Sequence, residues 1–222
     1  MAGKLIVLEG LDGSGKATQA KMLCDTLLSE GFPVRRISFP NYQSDSSALV
    51  KMYLAGAFGS NPGDVNAYAA SSFYAVDRYA GMKQDWGGFY ADGGVLVADR
   101  YTTANAVHQC CKLPRAEWDQ YLSWLFHFEY ELLGLPVPAF VLYLRLPVSQ
   151  NQKLMSARYH GNEQQKDIHE RDAAYLSRAH EAADYCAEKL GWHTLECTRD
   201  GSMKRMEEIA SEVRKAVEPV LR

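Results

Sequence analysis

Charge of one sign is scarce in this chain: 24 lysines and arginines stand against 27 aspartates and glutamates, a formal net charge of -3 over 222 residues. Without a Lys/Arg stripe there is no complement to a nucleic-acid backbone, so no nucleic-acid partner is expected and basic residues should serve as local tools for phosphate. Long apolar runs are missing as well. None approaches the roughly 18 to 20 residues that a bilayer-spanning helix needs, and no signal-type apolar stretch precedes the first strand, so a soluble, cytoplasmic chain without a membrane partner is expected. Cysteine is sparse and unpatterned: Cys24, Cys110, Cys111, Cys186 and Cys197 are odd in number and lack C-x-x-C spacing, which points to reduced thiols. His108 lies near Cys110 and Cys111, but no second cluster at zinc spacing completes a metal site. There is no internal repeat, low-complexity tract or Pro/Gly/Ser linker, so residues 1–222, 47% hydrophobic, are expected to form one α/β domain.

What is present begins with a short apolar strand, Lys4 to Leu8, followed by Gly10-Leu11-Asp12-Gly13-Ser14-Gly15-Lys16-Ala17-Thr18 and a helical pattern in which Ala20, Met22, Leu23, Leu27 and Leu28 share one side. This is the G-x-x-x-x-G-K form of a phosphate-binding loop. Its glycines let backbone N–H groups curl around phosphate oxygens at a helix N-terminus, and Lys16 reaches the outer phosphates. One part is missing: the position that supplies a hydroxyl to magnesium holds Ala17, with Thr18 one residue further on.

Further strands are expected at Val34 to Phe39, Gly94 to Ala98, Phe140 to Leu146 and His193 to Cys197, separated by helices. That alternation predicts right-handed crossovers and a five-stranded parallel sheet between two helical layers, with ligands beyond the carboxyl ends of the strands. Two segments read as insertions: 41–91, suited to an acceptor, and the polar stretch 159–166, suited to a lid between helices Ser149 to Arg158 and Asp167 to Leu190.

The third strand runs into Asp99-Arg100-Tyr101. A carboxylate at a strand tip beside a phosphate loop is placed to organise magnesium, and Arg100 brings a forked cation to the same space; the alternative is a plain ion pair at a helix start. On the long helix, Tyr74 and Arg78 are one turn apart and pair a flat aromatic with a donor, as a nucleobase site needs, while Phe73, Val76 and Ala80 are expected on an adjacent apolar face. The alternative makes Tyr74 core and Arg78 a carboxylate partner. Asn105, with His108 or Gln109, recurs at helical spacing after Arg100 and can donate to and accept from a base edge.

In this order and at these separations, residues 10–19, Phe39-Pro40, Phe73 to Arg78, Asp99-Arg100-Tyr101 and Asp167 to Asp172 resemble the thymidylate kinase family over nearly the whole chain. The resemblance implies a P-loop kinase fold, transfer of the γ-phosphoryl group of ATP to dTMP with Mg2+, and a homodimer packed through the long helix. It implies that Asp12 binds the sugar 3′-hydroxyl or helps Asp99 hold the metal, that Tyr74 stacks on thymine, and that Arg78 and Asn105 contact the base edge. Arg100 would grip the acceptor phosphate and Phe39-Pro40 line its pocket. His108 stands where some relatives carry a tyrosine against the ribose 2′ position, and Arg158 and Lys166 would bring charge to the transferring group. Two other readings remain at this stage: a kinase of another nucleoside monophosphate or deoxynucleoside, and a nucleotide-binding regulator with little turnover, which Ala17 favours. A guanine-nucleotide switch is set aside, since no N-K-x-D follows the fourth or fifth strand.

Overall fold

The computed structural model of the chain describes residues 2–151, 154, 168, 169 and 172–222. Five strands, β1 (Lys4–Glu9), β2 (Val34–Ser38), β3 (Val95–Asp99), β4 (Phe140–Arg145) and β5 (His193–Glu196), form one sheet in the order β2-β3-β1-β4-β5. Every neighbouring pair is parallel. Side chains alternate across a strand, and here both faces are covered, which is why β1 reads as a continuous apolar run. Ile6 and Leu8 pack with Leu23 and Leu27 of helix α1 (Lys16–Ser29) and with Ile209 and Val213 of the C-terminal helix Met206–Leu221. Leu5 and Val7 face the other way, against Phe39, Trp86 and Tyr101.

The expected strands are each present with ends shifted by a residue or two. A small antiparallel hairpin, Thr198–Arg199 with Ser202–Met203, was not expected. Helices α2 (Ala48–Leu54) and α3 (Ala67–Gly81) lie in the 41–91 segment. The chain then continues through a π-helical turn at Met82–Trp86 into α4 (Gly87–Ala91). Helix α5 (Thr102–His108) follows β3 directly, and α6 (Trp118–Phe126) follows that. The helix expected from Asp167 is corrected to Ala173–Lys189: Asp172 is its N-cap, accepting from the Tyr175 backbone N–H at 2.9 Å, and Ile168 and His169 form a turn before it. Val76, expected on an apolar face, is instead half exposed. The expected lid, Arg158 and Lys166 lie outside the described residues.

All five cysteines are free and buried. Among the described residues no helix is long and apolar enough to cross a membrane.

The sheet order places the site. The chain leaves β1 toward β3 and β2 on one side and later toward β4 and β5 on the other, so a crevice opens at the carboxyl ends where the direction changes. Register brings the tips together: Leu8 pairs with Asp99 and Ser38 pairs with Asp99.

Candidate active site

A cleft of about 750 Å³ opens at those strand ends. The phosphate loop forms its floor. Gly10 has φ of 155°, and a Cβ there would meet Ser14 Oγ at 2.6 Å and the Leu144 carbonyl at 2.9 Å, so the turn out of β1 requires glycine. Gly15, at φ 84°, is the N-cap of α1 and offers no side chain to the free N–H groups of the first turn, which leaves them available to an anion. Gly13, Gly15, Lys16, Ala17 and Thr18 all line the cleft. Leu11 and Ser14 do not: Leu11 packs into the core and Ser14 is buried, so in these two the loop contributes backbone.

Lys16 is folded back on its own loop, its Nζ donating to the Leu11 carbonyl at 2.8 Å. Burial, reinforced by the Arg100 charge and opposed by Asp12 and Asp99, pulls its pKa down to about 8. Burial also pushes the Asp12 carboxyl upward, but Arg100 and Lys16 outweigh it and hold Asp12 well below the ordinary carboxylate range. Arg100 Nη2 donates to Asp12 Oδ1, joining the strand-end arginine to the phosphate loop.

Arg100 occupies the left-handed region at φ 67°, unusual for a residue with a side chain and a form of strain that clusters at functional positions. Its Nη1 lies 2.8 Å from His108 Nε2. A guanidinium only donates, so Nε2 accepts and the imidazole proton belongs on Nδ1, facing the Tyr175 hydroxyl at 3.3 Å. Tyr175 in turn donates to the His108 carbonyl at 2.8 Å. Burial and the Arg100 charge keep His108 neutral, its pKa well below the usual value. His169 stacks on it at 6.1 Å with ring planes 8° apart.

The far wall is the expected base site. Phe39, Pro40, Tyr74, Arg78, Asn105 and His108 all line the cleft, as does Asp99. The structure narrows the role expected for Arg78, which is 1% exposed and not freely presented. Its Nε and Nη2 donate to Glu129 Oε2 and Oε1 at 2.7 and 2.6 Å, and Nη1 reaches the Tyr101 carbonyl at 3.3 Å. Burial would lower the Arg78 pKa, and the Glu129 carboxylate more than reverses it. Asp77 serves the fold, accepting from the Asn41 N–H at 2.7 Å and from Ser46 Oγ at 2.6 Å, and so ties the segment after β2 to α3.

Sequence reasoning missed Glu129, Glu9 and His169. Glu9, at the end of β1, accepts from the Gly10 N–H and from Thr103 Oγ1, bracing the loop against α5. Glu129 left little signal: the segment Trp124 to Leu133 carries both it and Glu131, and only the burial of Glu129, where a charge needs a partner, separates the two.

Comparison with known proteins decides the family. A thymidylate kinase family model matches residues 8–209. The chain belongs to the thymidylate kinase family. Thymidylate kinase of Mycobacterium tuberculosis is 30% identical over 180 residues, 78% of this chain and 81% of that protein. The thymidylate kinase of Plasmodium falciparum is 27% identical over 218 residues, 97% of this chain and 90% of its own. The solved thymidylate kinase of Candida albicans shares the fold, with a TM-score of 0.71 at 18% identity, covering 99% of this chain and 92% of that one. The P-loop kinase architecture of the family accounts for the sheet order and for where the cleft opens. Membership makes the chain a nucleotide-binding kinase.

Proposed function

We propose that this cleft transfers the γ-phosphoryl group of ATP to dTMP, giving dTDP and ADP. The observation that carries the reading is the meeting, in one cleft, of a phosphate loop with an arginine and an aromatic-amide wall that a simple nucleotide binder would not need. An oxygen of the acceptor phosphate forms a bond to the γ-phosphorus while the bond to the β–γ bridging oxygen breaks. An anionic phosphate oxygen is already a nucleophile, so no general base is required. The work is alignment and charge neutralisation.

In this reading Gly13 to Thr18 cradle the ATP phosphates and Lys16 swings from the Leu11 carbonyl to the β and γ oxygens. Arg100 grips the acceptor phosphate, Phe39-Pro40 shape its pocket, Tyr74 stacks on the base, and Arg78 and Asn105 contact its edge. Segment 41–91 carries the acceptor side, and Arg158 and Lys166, flanking a lid at 159–166, bring charge to the transferring group. Asp12 and Asp99 fit magnesium in kind: hard oxygen donors, too few for a closed cage, suit a cation whose shell is completed by water and phosphates. Mg2+ bound there would neutralise charge on the β and γ oxygens.

The half-exposed Val76, with Tyr68 and Tyr79, gives α3 an apolar outer face that supports a homodimer. A monomer in sedimentation at micromolar concentration refutes it. The expected location is the cytoplasm. Nothing favours another acceptor over dTMP. The test is ADP release with ATP and Mg2+ across dTMP, dUMP, dCMP and AMP. Turnover with dTMP well above the rest is expected. A clear preference for another acceptor refutes the assignment, and tight ATP binding without turnover on any acceptor supports a regulator instead.

A further inference from the structure

The base wall rests on a carboxylate that touches no part of the cleft surface. Glu129 is 0% exposed, and both its oxygens are doubly engaged. Oε1 accepts from Arg78 Nη2 at 2.6 Å and from Asn105 Nδ2 at 3.0 Å. Oε2 accepts from Arg78 Nε and from Thr102 Oγ1, each at 2.7 Å. Four donors on one carboxylate fill the acceptor sites it has.

This arrangement fixes which atoms remain for a ligand. The Asn105 amide has two N–H groups, and both are spent, one on Glu129 and one on the Ser71 carbonyl at 3.1 Å. A flipped amide would set Oδ1 against two acceptors, the Glu129 carboxylate and the Ser71 carbonyl, and the flip is therefore excluded. Asn105 lines the cleft, and Oδ1 is the polar atom it has left to offer. Arg78 has five N–H groups, three of them engaged. Its two remaining N–H groups, one on each Nη, are donors.

We infer that Glu129 is a specificity-positioning residue: by holding the Asn105 amide and the Arg78 guanidinium in one orientation, it makes the wall present an acceptor beside a donor. That pair complements a 4-oxo pyrimidine, whose N3–H donates and whose O4 accepts. It opposes a 4-amino pyrimidine, whose N3 accepts and whose amino group donates, so both contacts fail at once and buried groups are left unpaired. The inference rests on the acceptor reading above and adds to it the residue that sets the base pattern, one that need not touch substrate.

The test is Glu129→Gln, assayed on the full chain with dTMP, dUMP and dCMP, reading kcat and KM separately. The amide brings an N–H against the donor cluster and removes one of the two acceptors that hold the Asn105 amide, leaving only the Ser71 carbonyl to set its orientation, so the acceptor it shows to the base is no longer fixed. The expected result is a fall of at least tenfold in the kcat/KM preference for dTMP and dUMP over dCMP, carried mainly by KM of the nucleotide, with KM of ATP little changed. Equal losses on all three acceptors, leaving the preference intact, mean a merely structural role and overturn the inference while the acceptor reading stands. An unaltered chain that prefers dCMP or ignores dTMP overturns both. Because Arg78 loses its counter-charge in the variant and folding is at stake, the second arm uses the unaltered chain with bound dTMP. NMR is expected to show slowly exchanging Asn105 Nδ2 protons close to the Glu129 and Ser71 protons. Rapid exchange, or Nδ2 protons against the base, overturns the inference whatever the variant does.

Discussion

Acid should destabilise this protein through His169. The imidazole is buried, with Tyr53 Oη 2.8 Å from its Nε2, the Tyr175 hydroxyl 3.5 Å from Nδ1, the His108 ring stacked on it, and the Lys112 charge nearby. Burial first, and Lys112 second, pull its pKa from 6.5 to about 3. The sign follows from proton counting. Between pH 6.5 and 3 the unfolded chain binds a proton at this site that the folded chain refuses, so stability is complete above about pH 6.5 and is lost as pH falls toward 3. Two-state linkage with those values gives a loss of about 3 kcal/mol between pH 7 and pH 4 from this one group. With a urea slope typical of a domain, that is a midpoint shift of about 1 M. The assay is urea unfolding followed by tryptophan fluorescence, for which the buried Trp86 and Trp118 are suitable reporters. Run at pH 7, 5.5 and 4.5 on the parent and on His169→Gln, the stability gap between them should shrink progressively with acid. Burial and Arg100 shift His108 in the same sense in both chains, so the difference reports position 169 together with its contact with His108. A gap that stays constant from pH 7 to 4.5 refutes the burial of a neutral imidazole at position 169.

The loop and the cation beside it give further expectations. Arg100→Ala should lower kcat on dTMP by on the order of 10³-fold while leaving ATP binding nearly intact, because the guanidinium addresses the acceptor. Titration with a fluorescent ATP analogue checks this, and an equal loss of ATP affinity contradicts the assignment. Ala17→Thr, which restores a hydroxyl to the start of α1, should reduce the Mg2+ concentration needed for half-maximal activity; an unchanged requirement shows that position 17 does not matter to the metal. Gly10→Ala should destabilise the chain by about 1 to 3 kcal/mol, since the added Cβ meets the Leu144 carbonyl at 2.9 Å; an unshifted melting midpoint refutes the close approach.

The strands were legible because burial on both sheet faces writes itself into the chain as short uninterrupted apolar runs, Leu5 to Leu8 and Val95 to Ala98. The phosphate loop was legible because its glycines answer to backbone geometry, which Gly10 and Gly15 still display. Tyr74, Arg78, Arg100 and Asn105 were found by helical spacing and family pattern, and all four reach one cleft. What could not be read was pairing across distance. Arg78 and Glu129 are 51 positions apart, and no periodicity links a residue on α3 to one in the π-helical segment His127–Leu132 that continues α6. Val76 failed for the opposite reason, since an apolar residue one turn from Phe73 and Ala80 looks the same in sequence whether its face meets the core or solvent.

The ion pair between Asp12 and Arg100 has a consequence for the end of the catalytic cycle. A phosphate that binds Arg100 competes with a carboxylate already tethered to the same loop, always present and at high effective concentration. Such a competitor weakens the grip on substrate and product alike. In an enzyme that must surrender a nucleoside diphosphate at every turnover, a carboxylate ready to pair again with Arg100 would favour release as much as it opposes binding.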